Sequence, residues 1–154
     1  MMNNELKQIV KQPSYKELVE AIGKVLNEER NKAIQAVNLA LVQTNWQIGR
    51  YIVEYEQNGR ERAEYGAELI DRLSHDLTAA YGKGFSRSNV FQMRQFYLAF
   101  PKIQTLSEQL SWSHYLEILK STDELEMNFY IKQCEIERWS VRELKRQMKS
   151  CLFQ

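Results

Sequence analysis

The sequence predicts an all-α fold, and three observations carry that expectation. Apolar residues recur at spacings of three and four along most of the chain, the period of a helix with one buried face. No alternating β-type segment of useful length occurs, nor an Asn-Gly or Asp-Gly turn flanked by strands. Both prolines, Pro13 and Pro101, stand where helices begin or end. With 154 residues, 44% hydrophobic and 27% charged, the chain is long enough for one domain with a sizeable core. Eight Tyr, six Phe and three Trp exclude disorder over most of the length.

The elements follow in order. Residues 1–13 are expected to form a mobile tail and residues 14–154 a single helical domain. After Pro13, Ser14 with Glu17 three residues on makes a capping-box signature. A long amphipathic pattern then runs through Leu18, Ile22, Val25, Ala33, Val37, Ala40, Thr44, Ile48, Ile52 and Tyr55 to Asn58-Gly59, a good C-cap pair. The polar run Asn27 to Lys32 is either an exposed section of that helix or a break in it. A stripe this long cannot be buried by one helix alone, so it packs across the domain or forms a dimer seam. A second helix is expected from about Arg60 to Tyr81, on the stripe Leu69, Ile70, Leu73 and Leu77. A third runs from Arg87 to Phe100, before Pro101. Thr105 with Glu108, and Ser121 with Glu124, mark two short helical starts. Ser140 with Glu143 opens the last helix, about 140–152.

The most informative stretch is the helix-turn-helix-like segment, about 67–100. Gly82 and Gly84 bracket Lys83, allowing a positive φ and stopping the first helix, and Ser86 stands as N-cap of the second. On a wheel at about 100° per residue, Val90, Met93, Tyr97 and Phe100 face the core. Ser88, Gln92, Gln95 and Ala99 fall opposite, with Arg87 and Arg94 along one edge beside Phe91 and Leu98. Gln can pair with adenine, Arg with guanine or phosphate, and a small residue lets the groove approach. Arg87, Ser88, Asn89, Gln92 and Gln95 are therefore the candidate base-facing residues.

Net charge is +1, but its distribution alternates. Residues 51–76 carry −4; residues 77–107 carry +4, with no acid at all; residues 117–137 carry −4; residues 138–149 carry +4. On the last helix Arg142, Lys145, Arg146 and Lys149 form one stripe, with Val141, Leu144, Met148 and Cys151 opposite. With Lys83 and Arg94 these are the candidate phosphate contacts, which position a protein on nucleic acid without reading sequence. The same stripe would also suit an acidic partner, or simply be solvated.

Several classes are excluded or disfavoured. There is no phosphate-cradling glycine loop, nucleophile elbow or His-Glu-x-x-His pair, so no catalytic residue is assigned. Asp123 with Glu143-Leu144-Lys145 formally matches a metal-nuclease pattern, but Glu143 occupies a helix-capping position. Cys134 and Cys151 are too few for a disulfide framework and too far apart for a zinc motif, and neither His75 nor His114 has metal-like neighbours. No metal or cofactor is expected. No apolar run approaches the roughly 18–20 residues that cross a bilayer, and the N-terminus has no apolar signal core, so a cytoplasmic address without membrane contact is expected.

The chain also resembles a family. Asn45-Trp46-Gln47-Ile48-Gly49-Arg50, Glu64-Tyr65-Gly66, Leu73-Ser74-His75-Asp76-Leu77, Gly84-Phe85-Ser86-Arg87-Ser88-Asn89 and Met93-Arg94-Gln95-Phe96-Tyr97 occur in order. Leu110-Ser111-Trp112-Ser113-His114-Tyr115, Phe129-Tyr130 and Trp139-Ser140-Val141-Arg142-Glu143-Leu144 follow. The succession, over roughly residues 30–152, is similar to the N-terminal domain of YhcG-like bacterial proteins. The resemblance implies a helical domain that binds nucleic acid or partners, usually followed by a nuclease domain of the PD-(D/E)xK type. Gln154 falls where the linker to that nuclease would begin, so its metal ligands have no counterparts here. Glu126-Met127-Asn128 lacks an arginine of the family pattern.

Trp46, Trp112 and Trp139 are expected to be core or inter-helix anchors. Gly49 is expected to permit a close helix crossing, and Ser113-His114-Tyr115 to serve packing and capping. The leading expectation is a non-catalytic DNA-binding module serving a nuclease domain in cis or in trans. The alternative is a protein-interaction or oligomerisation domain, with the long helix as a homo-oligomer seam.

Overall fold

The computed structural model describes residues 14–58 and 66–150. These residues contain α-helices and one 3₁₀ turn, with no strand among them. The helices are α1 (Tyr15–Gln57), α2 (Gly66–Tyr81), α3 (Arg87–Ala99), α4 (Trp112–Ile118), α5 (Glu124–Glu137) and α6 (Val141–Lys149). The chain divides into two units, Met1–Ala36 and Val37–Gln154. In the first, Ser14 and Glu17 close a reciprocal capping box, each side chain accepting from the other's backbone N–H at 3.2 Å. The polar run Asn27–Lys32 is an exposed section of continuous helix, not a break.

The second unit holds the core. Val42 and Trp46 of α1, Met93, Phe96 and Phe100 at α3, and Trp112, Tyr115 and Ile118 of α4 pack with Met127, Tyr130, Ile131 and Cys134 of α5 and Leu144 of α6. Phe96 is its hub, with ring centroids 5.2 Å from Trp112, 4.7 Å from Tyr115 and 5.6 Å from Phe100. A smaller cluster of Ile52, Ile70 and Val90 ties α1, α2 and α3 together. Two devices hold α3 against α1. A Cβ on Gly49 would lie 2.0 Å from the Met93 carbonyl oxygen, so only glycine admits this crossing. Trp46 Nε1–H donates to the Phe100 carbonyl at 2.7 Å, satisfying backbone that α3 leaves open ahead of Pro101.

Local signals are met unevenly. No helix starts at Thr105: residues Ile103–Thr105 make a single 3₁₀ turn. The next segment is committed to tertiary contacts, with Ser107 N–H donating to the buried Tyr115 hydroxyl and Leu110 buried. The α4 helix begins at Trp112 instead, where Ser111 and His114 form a capping box. His114 Nδ1 accepts from Ser111 N–H at 3.1 Å, so Nε2 carries the proton and donates to the Trp139 carbonyl at 2.8 Å. The residue thus caps α4 and ties it to the start of α6.

Before α5 the cap is Asp123, two residues past the expected Ser121, which instead accepts from Asp123 N–H and donates to Glu126. Arg138 ends α5 in the left-handed region at φ 52°, a place that usually falls to glycine. Ser140 caps α6 by accepting from Glu143 N–H, but the Glu143 carboxylate turns to Arg146 and Gln147 rather than completing a box. The expected tail over residues 1–13, the start of the second helix before Gly66, the Gly59 cap and Cys151 lie outside the described residues.

Candidate nucleic-acid interface

The α2–turn–α3 unit is pinned at its corner. Gly82 and Gly84 take φ of 85° and 103°, the left-handed values that the turn requires. Ser74 Oγ donates to the Phe85 carbonyl at 2.7 Å, with Thr78 Oγ1 at 3.3 Å. Ser86 caps α3 by accepting from Asn89 N–H at 3.1 Å. Asn89 itself is committed at both ends of its amide: Nδ2 donates to the Gly84 carbonyl at 2.5 Å and Oδ1 accepts from Trp112 Nε1 at 2.8 Å. That amide joins the turn, α3 and α4. Arg87 pairs with Asp71 of α2 at 2.8 Å across the motif, both side chains being largely exposed.

The outward face of α3 differs from the wheel. Because Phe96 enters the core, the helix is turned so that Arg87, Ser88, Phe91 and Leu98 are its exposed residues. Gln92, Gln95 and Ala99 are half-buried, and Tyr97 is half-buried against Trp46. The edge that carries Arg87, Phe91 and Leu98, the last two 43% and 44% exposed, thus points outward in place of the small polar face. The i, i+7 spacing of Phe91 and Leu98 was legible in the sequence; the rotation of the helix was not.

Arg94 is the clearest departure from a free cation. Its Nε and Nη2 donate to the two Glu56 oxygens at 2.6 and 2.9 Å, a fork linking α3 to α1 with the two side chains 27% and 18% exposed. The hydrogen bonds to Glu56 hold the guanidinium pKa above its ordinary value against the cost of desolvation. In this geometry Arg94 positions α3.

On α6, Arg142, Lys145, Arg146 and Lys149 are all exposed and share one face, while Leu144 is buried and Val141 and Met148 are half-buried. Arg146 makes a two-bond pair with Glu143, at 2.6 and 3.1 Å. The Arg146 and Gln147 hydrogen bonds pull the Glu143 carboxyl down to about 2. Lys145 reaches Glu117 of α4 at 3.6 Å, a carboxylate that also holds Lys120. The elements therefore bring α3 and α6 to different sides of α4: Trp112 and Tyr115 face α3, His114 reaches the Trp139 carbonyl ahead of α6, and Glu117 reaches Lys145 of its stripe. Lys83 lies exposed on the turn.

Other chemistry is muted. Burial pushes the Cys134 thiol up to about 11, and its side chain packs in the core. No cluster of His, Cys, Asp and Glu able to hold a metal ion occurs among the described residues. No described helix is long and apolar enough to cross a membrane.

Comparisons with known proteins meet this geometry at one family. The family described as "DUF1016 N-terminal domain" matches residues 21–154. A relative from Escherichia coli (strain K12), named "Putative nuclease YhcG", is 33% identical over 172 aligned positions. The alignment spans 91% of this chain but 46% of that protein, so the chain corresponds to about half of its relative's length. No solved structure matches the chain.

Proposed function

This chain belongs to the DUF1016 N-terminal domain family, and on that premise we propose that it is the DNA-binding, targeting module of a YhcG-like nuclease. The observation that supports the reading is the pinned turn, which holds the first turn of α3 outward with Arg87 and Ser88 exposed and Gln95 beside them. The N-terminal N–H groups of α3 favour a phosphate there. Lys83, Arg142, Lys145, Arg146 and Lys149 supply further phosphate contacts; Arg94 and Asn89 act by holding α3 in place. The chain itself is non-catalytic in this reading, and a nuclease domain in cis or in trans does the chemistry.

Fluorescence anisotropy with a labelled random-sequence duplex, titrated across salt, tests this. Binding should weaken with a slope of about 0.9 in log affinity per phosphate neutralised. Arg87→Ala and Gln95→Ala should each cost roughly tenfold at a preferred site, and Lys145→Ala with Arg142→Ala should flatten the salt slope. No binding at low salt would overturn the proposal. A second reading, docking of a protein partner on α3, is favoured by one observation: the exposed Phe91 and Leu98 on its outward face.

A further inference from the structure

Within the first unit, α1 carries an apolar stripe that none of the described residues of that unit covers. Leu18, Val19, Ile22, Val25 and Leu26 of α1 are each between 48% and 65% exposed. In proteins, burial of an amphipathic face rather than intrinsic propensity supplies most of a helix's stability. Scattered exposed leucines are ordinary; five on one stripe of one helix are not.

The residues between 18 and 36 decide what fits the stripe. Leu18, Ile22, Val25, Glu29, Lys32 and Ala36 follow one another at alternating spacings of four and three, the seam of a two-stranded coiled coil. Two of these six are charged, and their order matters: the acid precedes the base. In a parallel pair Glu29 would face Glu29 and Lys32 would face Lys32. In an antiparallel pair centred between Arg30 and Asn31, Glu29 of each copy faces Lys32 of the other. The same register sets Val25 against the small Ala36 and Ile22 against Leu39. Within one helix Lys32 already reaches Glu29 at 3.2 Å, with both side chains about two-thirds exposed, so the pair is weak and available to be shared.

We propose that α1 is a self-association helix that pairs antiparallel with α1 of a second copy of this chain, its register set by Glu29 and Lys32. A polar layer of this kind specifies orientation at some cost in affinity, which is its usual role in a coiled coil. The dimer carries two α3 helices, which gives a DNA reader two half-sites to match, but the pairing does not depend on DNA binding.

Sedimentation equilibrium on the full chain should give a concentration-dependent dimer. Glu29→Lys and Lys32→Glu should each weaken it by about tenfold, and the double exchange should restore it. Orientation is read by cross-linking in a Cys151→Ser background. Val25→Cys and Ala36→Cys chains, oxidised together, should form a mixed disulfide dimer, and neither should cross-link to itself. A clean monomer at submillimolar concentration would overturn the proposal, as would a Val25→Cys homodimer, which reports parallel pairing. Circular dichroism distinguishes a lost seam from a lost fold, since residues exposed on α1 leave the core of the second unit intact.

Discussion

The two basic helices, α3 and α6, begin from the same local charge and end in different situations. In α3 the arginine that looks most available, Arg94, is spent on Glu56, and the asparagine that looks most like a base reader is spent on the turn and Trp112. In α6 all four cations stay exposed, because only Leu144 and its half-buried neighbours touch the core. A run of like charge therefore says little until the partner of each residue is known. A helix packed on three sides uses its polar groups to hold itself in place; a helix packed on one face keeps its cations exposed even where, as with Lys145 and Arg146, they pair with a carboxylate.

Breaking that lock should show the difference most strongly. Gly49→Ala drives a methyl into the Met93 carbonyl, and displacement of α3 should cost about 3 kcal/mol or more, read by urea denaturation. A loss under 1 kcal/mol would mean that the crossing relaxes freely. Next comes the paired comparison. Arg94→Ala strands Glu56 and should cost about 2 kcal/mol, whereas Arg142→Ala on α6 should stay within about 0.5 kcal/mol while weakening the proposed DNA binding. Equal costs would erase the distinction between the helices.

The pH dependence sharpens the same contrast. Burial raises the Tyr115 hydroxyl, packed on Phe96 and Phe100, to about 12. Its contribution is fully present below pH 10 and is lost as pH rises from about 10 to 12, since the unfolded phenol ionises first. Absorbance at 295 nm should show a late-ionising tyrosine component that vanishes in Tyr115→Phe. On α6 the sign reverses. Glu143 is held down to about 2 by Arg146, then by Gln147, so its contribution is present above the ordinary carboxyl value of 4.5 and lost as pH falls from there towards 2. The effect on stability is the smallest of the four. Carboxyl NMR titration with a midpoint near 4.5 would show that the α6 pair does not form in solution.

Much of the fold was legible because helical signals are local. The caps at Ser14, Ser86 and Ser140 act within one turn of their own residues, and each is found where the spacing puts it. Glycine at 82 and 84 likewise met a requirement of its own backbone. Thr105 failed for the opposite reason, since Ser107 N–H is taken by a hydroxyl eight residues away. The candidate site was less legible. The wheel placed the polar face of α3 correctly to within a partial turn, but Phe96 was drawn inward by Trp112 and Tyr115, and Phe91 and Leu98 came outward with that rotation.

The sequence by itself determined the helical class, the glycine turn between α2 and α3, the glycine at the tight crossing and the alternation of charge, all of which are set by local residues. Only the tertiary structure decided which polar side chains remain available. Asn89, Arg94 and His114 each reach a partner 23 to 38 residues away, and no spacing rule reaches that far. Whether a buried or half-buried polar group is free depends on the cost of leaving it unpaired, and that cost is set by what the fold brings alongside it.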